Sequence, residues 1–428
     1  MSITDPQTFK TKAVQWANSA DVCCYLDSNK FADSYSKFDT LIAAGVNDEL
    51  IENAGTAFDK LERFRKDHPG WLTGFFGYDL KNEVEELNSS RSGELDFPDM
   101  YFFVPEYLLI ITGNDVEIFA DEPLQIYERI QQQTLNVSSP GVPPINIQSR
   151  LTRHEYLDAV LKIKEHISRG DIYVTNFCQE FFAEHADIDP LAIFLNLNKI
   201  SPNPFSAYFK IRDKYILCAS PERFLAKRGS KLISQPIKGT ARRGNTFDED
   251  ESIKQQLRDH TKEQQENVMI VDLVRNDLTR SAKAGSVKTE ELFGIYSFKQ
   301  LHQMISTVVC ELRDDITPVN AIKNTFPMGS MTGAPKVRAM QLMEQYEGNR
   351  RGVYSGAIGY FGPDNDFDFN VVIRTMLYDK DKKYLSFHAG SAITYHANPE
   401  NEYEECLLKA KAILEVLGQT KSSPQTSH

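Results

Sequence analysis

Chain length is the first limit on how this sequence can fold. At 428 residues, the chain exceeds the size at which a single hydrophobic core usually stops growing. Either two domains or one large composite sheet structure is therefore expected. Hydrophobic residues make up 41% of the sequence, which is ordinary for a globular protein and provides ample material for a buried core.

Charge and cysteine content narrow the class of protein. The net charge is -12, with Asp and Glu spread along the chain and no basic stripe, so no nucleic-acid partner is expected. The six cysteines are too sparse for a disulfide scaffold and lack the short paired spacings of a zinc site. No apolar run follows a basic N-terminus, and no stretch approaches roughly 18 apolar residues. We therefore expect a cytoplasmic protein that does not enter a membrane.

One segment divides the sequence into two parts. The stretch NVSSPGVPPINIQS is dense in Pro, Ser and Asn and lacks helical periodicity, which predicts a linker over residues 136–150. The preceding part, residues 1–135, contains aromatic-rich runs such as GWLTGFFGYDL and is predicted to be α+β. A second domain is expected over residues 151–420, followed by a short polar tail over residues 421–428.

Helix boundary signals are clear at two places. Thr152 and Glu155 form a T-x-x-E capping box, and Gly170 stands where a C-terminal cap belongs. The last helix is predicted to begin at Asn398 and to end at Gly418.

Two predicted helices each contain glutamates three residues apart. Glu263 and Glu266 lie in KEQQENVMIVDL, and Glu402 and Glu405 lie in NEYEECLLKA, so each pair shares a helix face. The alternative interpretation is a solvated acidic surface. Apolar residues follow both pairs directly, which indicates that each helix docks close to its glutamates. Four converging carboxylates would need a hard divalent cation, and an oxygen-only site suits Mg²⁺ better than Zn²⁺.

Lys238 stands in an unusual setting within SQPIKGTARRG. Most lysines are solvated surface charges. Here an apolar dipeptide precedes the lysine, Gly239 allows close backbone approach, and Thr240 adds a hydroxyl. To act as a nucleophile, Lys238 must be neutral, which requires burial, a nearby cation or proton removal by a carboxylate.

Two Gly-rich segments can bind a carboxylate through backbone amides. They are TFPMGSMTGAPKVRA and HAGSAIT, and the first also offers the hydroxyls of Ser330 and Thr332. Each segment taken alone is more often an ordinary turn.

Together these segments resemble the chorismate-binding enzyme family, which includes anthranilate synthase component I, aminodeoxychorismate synthase component I, isochorismate synthase and salicylate synthase. The resemblance is dense over residues 152–417 and weaker in the N-terminal part. It implies an α+β fold of large composite antiparallel β-sheets packed together, with helices on the outside, and a chorismate-binding catalytic domain over residues 151–420. Its motifs are GDIYVTNF, ASPERFL, PIKGTARRG, ENVMIVDLVRNDL, GSMTGAPKVRAM, YSGAIGYF, FNVVIRTM and EYEECLLKA.

The resemblance also implies roles for individual residues. Mg²⁺ would hold the ring carboxylate of chorismate, with Glu266 and Glu405 as its main ligands and Glu263 and Glu402 supporting them, mostly through water. Glu222 would be the general acid at the departing 4-hydroxyl, and a raised pKa would suit that role. The resemblance implies substrate contacts from Tyr360 and Arg374 at the enolpyruvyl side chain and from Gly390, Ser391 and Lys409 at the substrate carboxylates. The hydroxyls of Thr240, Ser330 and Thr332, noted above, complete the predicted substrate-binding set.

Lys238 decides which member of the family the sequence resembles most. The PIKGT form is similar to the aminodeoxychorismate synthases, whereas anthranilate synthases typically have Ala at this place. In the implied mechanism, Lys238 adds to ring carbon 2 as the 4-hydroxyl leaves, and ammonia then attacks carbon 4 and expels the lysine. The alternatives are an anthranilate synthase component I and a non-catalytic chorismate-binding paralogue.

The sequence departs from the family at two positions. Val174 stands where the salicylate and isochorismate synthases have a water-activating lysine, so attack by water is disfavoured. Gln303 stands where the family has a histidine, with His302 one residue earlier, and no catalytic histidine is predicted.

The nitrogen source is a further expectation. No segment resembles a Cys-His-Glu glutaminase, so ammonia is expected from a glutamine amidotransferase subunit or from solution. Conversion to p-aminobenzoate would need another enzyme.

Overall fold

The computed structural model describes residues 1–31, 33–85, 87, 89, 93–135, 145–299 and 301–418. Most of the predicted linker, residues 136–144, and the predicted tail over 421–428 lie outside the described residues. The helices are α1 (Pro6–Ala17), α2 (Ala57–Asp67), α3 (Lys81–Val84), α4 (Pro123–Gln131), α5 (Arg153–Ser168), α6 (Pro190–Ile200), α7 (Phe247–Asp259), α8 (Thr261–Thr279), α9 (Pro318–Thr325), α10 (Lys336–Tyr346) and α11 (Pro399–Val416).

The strands alternate with these helices along the chain. They are β1 (Val22–Asp27), β2 (Thr40–Glu52), β3 (Leu72–Phe76), β4 (Met100–Thr112), β5 (Asp115–Phe119), β6 (Gln148–Ser149), β7 (Val174–Ala183), β8 (Phe205–Ile211), β9 (Lys214–Ser220), β10 (Arg223–Arg228), β11 (Lys231–Gln235), β12 (Ile237–Arg242), β13 (Lys288–Ser297), β14 (Leu301–Glu311), β15 (Gly333–Ala334), β16 (Ala357–Phe361), β17 (Phe367–Asn370), β18 (Thr375–Asp379) and β19 (Tyr384–Ile393).

The strands form one continuous antiparallel network. From one end it runs through β13, β14, β11, β10, β17, β16 and β3 to β4, with β12 also paired to β14. From β4 it continues through β2, β1, β8, β9, β18 and β19 to β7. Strands β1–β4 therefore lie between two groups of strands that follow residue 150 in the chain. The division into residues 1–135 and 151–420 stays a prediction.

Local signals at the helix ends are confirmed. Thr152 caps α5 and forms the predicted capping box with Glu155, and Gly170 follows the helix with φ +83°. Asn398 caps α11 by accepting from two backbone amides, and Gly418 after the helix has φ +78°. These ends depend on a few neighbouring residues, which is why the sequence predicts them well.

Two hydrophobic clusters hold the helices that matter for the site. In the first, α5 and α11 pack on the strand pair β7 and β19, and α6 packs on β8 and β9. Phe177, Phe387 and Cys406 are among the buried residues of this cluster. In the second, the apolar face of α8, including Ile270 and Val274, packs against strands β10, β11 and β14. Among the described residues, no helix is long and apolar enough to cross a membrane.

Candidate active site

Lys238 projects from a bulge in strand β12. The register of β12 against β14 shifts between Ile237 and Thr240, and Gly239 within the shift has φ +106°, a conformation that favours glycine. The Asn267 side chain of α8 donates to the Lys238 carbonyl oxygen over 3.2 Å and so ties the bulge to the helix. A bulge changes the direction of a side chain relative to the regular strand, which explains how Lys238 faces the helices.

Glutamates of both predicted pairs lie near Lys238. The Lys238 Nζ atom lies 3.0 Å from Glu266 Oε2. Burial disfavours the charged lysine, but the charges of Glu266, Glu405 and Glu263 outweigh burial and raise the pKa of Lys238 above its ordinary value. The charge of Lys238 also acts on Glu402. Carboxylates from α8 and α11 therefore surround one ammonium group.

The α11 end of the site contains a second lysine. Lys409 Nζ lies 2.8 Å from Glu405 Oε1 and donates to the Gly390 carbonyl oxygen over 3.0 Å. Burial works to raise the pKa of Glu405, but Lys409 and Lys238 lower it below its usual value. The Ser391 hydroxyl is buried beside the Glu402 carboxyl. Lys409 and the β19 residues Gly390 and Ser391 thus lie on the α11 side of Lys238.

The donor set fits a hard cation, although the side chains do not enclose one as they lie. In the part of the chain that the structure describes, no three His, Cys, Asp or Glu side chains are close enough to share a metal ion. Burial, followed by the charge of Glu266, raises the pKa of Glu263. Burial also raises the pKa of Glu402, and Glu405 adds to the effect. Crowded carboxylates of this kind suit Mg²⁺, after rotation of flexible glutamate side chains.

Glu222 is a buried carboxyl with the properties of a general acid. It is 4% exposed and directly precedes β10. Burial raises the pKa of Glu222 to about 7, against the opposing effects of the Ser330 hydroxyl, the Ile237 amide, Arg374 and Lys238. A carboxyl that keeps its proton near neutral pH can donate it to a leaving hydroxyl.

Arg374 places a guanidinium group near enough to Glu222 for their charges to interact. Burial lowers the pKa of Arg374 to about 10, and the Glu222 charge opposes this effect. Arg374 has φ +52°, a strained backbone conformation for a residue with a side chain. Its carbonyl oxygen accepts from the Ala219 amide, which holds the strained segment in place.

The Gly-rich segments differ in how they build the site. A Cβ atom at Gly390 would lie 2.0 Å from the Phe177 carbonyl oxygen, so only glycine allows β7 and β19 to pair here. In the part of the chain that the structure describes, the buried Ser330 hydroxyl makes no well-formed hydrogen bond, although it lies near enough to Glu222 to lower the pKa of that carboxyl. The Thr332 hydroxyl donates to backbone carbonyls of its own turn, and Thr240 is exposed. Ser330 is thus available to a ligand, whereas Thr332 has a structural role in this arrangement.

The structure does not bring Tyr360 together with the other predicted residues. Its ring packs against Phe38 and Trp71, with ring centroids 5.0 and 5.6 Å apart, and lines a different pocket with Asp27. The contact of Tyr360 with the enolpyruvyl group stays a prediction that its position does not support.

Tyr354, the second tyrosine of the same motif, lies closer than Tyr360 to the predicted site residue Gly390. Tyr354 stacks on His388 with ring centroids 4.9 Å apart, and its hydroxyl is 3.5 Å from Cys178 Sγ, which sits opposite Gly390 across the β7–β19 pair. The motif YSGAIGYF contains both tyrosines, and its sequence does not tell which one lies near Gly390.

The structure also shows the surroundings of Val174, His302 and Gln303, at which the sequence departs from the family that it resembles. Val174 is buried and pairs with Ala334, so it supplies no base. His302 is fully buried, with its Nε2 atom 2.9 Å from an Asp250 carboxylate oxygen. Gln303, its neighbour, pairs with Thr240 and lines a small pocket together with Arg374.

Comparisons with known proteins extend over nearly the whole chain. The family model described as chorismate binding enzyme matches residues 20–415. An aminodeoxychorismate synthase component 1 from Bacillus subtilis is 35% identical over 368 residues, which cover 82% of this chain and 77% of that protein. An anthranilate synthase component 1 from Aquifex aeolicus is 32% identical over 370 residues, covering 81% and 74%.

The solved structure of anthranilate synthase component I from Streptococcus pneumoniae matches with a TM-score of 0.79 at 26% identity. The match covers 89% of this chain and 93% of that chain. The predicted α+β class, with large antiparallel sheets and outer helices, is confirmed by this likeness.

Proposed function

Because this chain belongs to the chorismate-binding enzyme family, we propose that it is an aminodeoxychorismate synthase component 1 that replaces the 4-hydroxyl of chorismate by an amino group. Two of the relatives, from Bacillus subtilis and Klebsiella aerogenes, have that name at 35% and 33% identity. The proposal therefore concerns which reaction of chorismate this chain catalyses.

The observation that carries the proposal is the position of Lys238. Its amine lies among the glutamates of α8 and α11 and within the field of Glu222. A lysine between a cluster of carboxylates that can bind a metal ion and a general acid can attack the chorismate ring that these groups hold. Covalent attachment then divides one difficult displacement into two easier steps.

Proton positions define what each side chain does. Lys238 must lose a proton before it attacks carbon 2, and the Glu266 carboxylate is 3.0 Å away as an acceptor. Glu222 gives its proton to the departing 4-hydroxyl, which leaves as water. Ammonia forms the new bond at carbon 4, and the bond between carbon 2 and the Lys238 nitrogen breaks, so that the lysine is released unchanged.

Substrate carboxylates are bound by the cationic side chains on either side of Lys238. Arg374 and Lys409 are the side chains suited to this role, together with backbone amides near Gly390. Glu263, Glu266, Glu402 and Glu405 would hold Mg²⁺, which supplies positive charge to the ring carboxylate. The same charge disfavours the protonated form of Lys238.

A coupled assay tests the proposal. The purified chain is incubated with chorismate, Mg²⁺ and ammonium chloride, and the products are measured with and without added aminodeoxychorismate lyase. We expect p-aminobenzoate only after the lyase is added. Fluorescent anthranilate without the lyase would instead establish the anthranilate synthase activity named for the Aquifex aeolicus relative. No conversion of chorismate would favour a non-catalytic paralogue.

A partner is part of the proposal, because the name component 1 implies a second component. We propose a glutamine amidotransferase subunit that supplies ammonia. Ammonium salts at alkaline pH are expected to support turnover by the isolated chain, whereas glutamine alone is not. Glutamine-dependent turnover by a rigorously pure chain would contradict this part.

A further inference from the structure

A small cavity lies directly behind Glu222, on the side of helix α8. It encloses about 20 Å³, which is room for one or two molecules the size of water and far too little for chorismate. Val274, Leu278 and Phe224 form apolar walls, and Glu222, on which the charge of Lys238 acts, also lines the cavity. A ligand of the cavity would therefore lie next to the proposed general acid.

Asp277 presents an unsatisfied oxygen at this cavity. Its Oδ2 atom accepts from Lys336 Nζ over 2.6 Å, but its Oδ1 atom is buried without a partner among the described residues. Lys336 cannot supply the missing donor, because its other bonds go to the carbonyls of Thr325 and Pro327. Asp277 is only 3% exposed, and a buried carboxylate oxygen without a donor is costly. A ligand that donates hydrogen bonds would satisfy this oxygen.

Ser330 and the local charge define that ligand further. The Ser330 hydroxyl also lines the cavity, and within the described residues its nearest polar neighbour of note is Glu222, with which it forms no well-aligned hydrogen bond. Two carboxyl groups, Asp277 and Glu222, line the cavity. Lys336 pairs with Asp277, and the Arg223 side chain in the lining pairs with Asp33 and Asp368. A small cation with several N–H groups would meet all three acceptors, two of which are carboxyl oxygens.

We propose that this cavity holds the nitrogen substrate as an ammonium ion, bound by Asp277 Oδ1, Ser330 Oγ and the Glu222 carboxylate. The inference rests on the proposed function, which needs ammonia at carbon 4, where Glu222 also acts. The bound ion gives one proton to ionised Glu222: an N–H bond breaks, an O–H bond forms, and neutral ammonia remains with its lone pair free. The same transfer restores the acid form of Glu222, which can then protonate the 4-hydroxyl of the next chorismate.

Kinetics with ammonium chloride test the assignment. Asp277→Asn and Ser330→Ala are each expected to raise the KM for ammonia at least about tenfold, because a hydrogen bond to the ion is lost. In Asp277→Asn the KM for chorismate should stay within about twofold of wild type. Asp272→Asn is the matched control, since Asp272 is on the same helix but exposed and paired with Arg275. An unchanged KM for ammonia in both variants, including the case in which only kcat falls, would overturn the ammonium site.

A second measurement does not require turnover. Thallium(I), an anomalous scatterer close to ammonium in size, is soaked into crystals of the wild-type chain. We expect an anomalous peak within hydrogen-bond distance of Asp277 Oδ1 and Ser330 Oγ, and its loss in Asp277→Asn. Absence of the peak in wild type would refute the site whatever the enzyme makes. Anthranilate as the product would instead refute the proposed function and leave the ammonia site supported by its own measurements.

Discussion

At the scale of single residues, Lys238 is the group on which the covalent mechanism depends. Lys238→Ala is expected to remove nearly all aminodeoxychorismate formation while leaving the fold intact, because the side chain reacts and supports no core. Chorismate supplied without ammonia should leave an adduct on the wild-type peptide that contains Lys238, detectable by mass spectrometry. Lys262→Ala is the control, since Lys262 lies 3.7 Å from the other oxygen of Glu266 and is half exposed. Full activity of Lys238→Ala would make the lysine a bystander.

Glu222 gives a prediction in which activity and stability change in opposite directions. Glu222→Gln should lower kcat by about 100-fold or more, because the general acid is lost. The pKa of Glu222 is about 7 in the folded chain against 4.5 unfolded, so its stabilising contribution is complete below pH 4.5 and is lost as the pH rises through 7. Above pH 7 the free energy of unfolding of the variant should therefore exceed that of wild type by up to roughly 3 kcal/mol, so the variant is the more stable protein. Denaturant titrations at pH 5 and pH 8.5 measure this difference, and a variant less stable at pH 8.5 would contradict it.

At the scale of secondary-structure elements, helices α8 and α11 form the proposed metal site only together. Glu266→Gln or Glu405→Gln should abolish turnover at ordinary Mg²⁺ concentrations and weaken Mg²⁺ binding at least about tenfold, because a charged oxygen ligand is lost. Isothermal titration with Mg²⁺ measures the binding step without catalysis. Glu404→Gln is the matched control, since Glu404 is exposed on α11 between two proposed ligands. Equal Mg²⁺ titrations for the ligand variants and wild type would refute the metal site.

The pairing of β7 with β19 allows a test of backbone fit. Gly390→Ala is expected to destabilise the chain by about 1–3 kcal/mol and to lower activity, because the added methyl group would meet the Phe177 carbonyl oxygen. Gly70→Ala is a suitable control, since no atom of the described residues lies within 4 Å of a Cβ atom there. Thermal unfolding of both variants provides the comparison, and equal stabilities would show that the strands can separate at low cost.

What the sequence predicts at this scale depends on how local the signal is. The capping box at Thr152 involves only neighbouring residues, and the structure agrees with it. Lys238 and the two glutamate pairs could be chosen because each belongs to a distinctive motif. That α8 and α11 meet depends on packing between residues far apart in sequence, which no local pattern contains. Tyr360 and Tyr354 illustrate the same limit, since only the fold decides which pocket each ring enters.

At the scale of the whole molecule, the order of strands joins the two sequence regions. Strand β3 pairs with β16, with Gly74 opposite Gly359, and strand β1 pairs with β8. Phe75 and Tyr101 also pack edge-on against Phe209 of β8. The N-terminal strands thus complete the core of the region that contains the candidate site, although the Pro-rich segment separates the two regions in sequence.

This topology predicts that the second region does not fold alone. A piece spanning residues 141–428 would leave the edges of β8 and β16 unpaired and would expose the aromatic cluster around Phe209, so we expect no cooperative thermal transition. Circular dichroism with heating measures this, and an apolar dye should bind the isolated piece. Co-expression of residues 1–140 with residues 141–428 is the control, because the strand pairs can then form between two chains and should restore both the transition and chorismate turnover. A cooperative transition of the isolated piece near the melting temperature of the full chain would show that the N-terminal strands are an accessory layer, and that residues 151–420 form a domain in the strict sense.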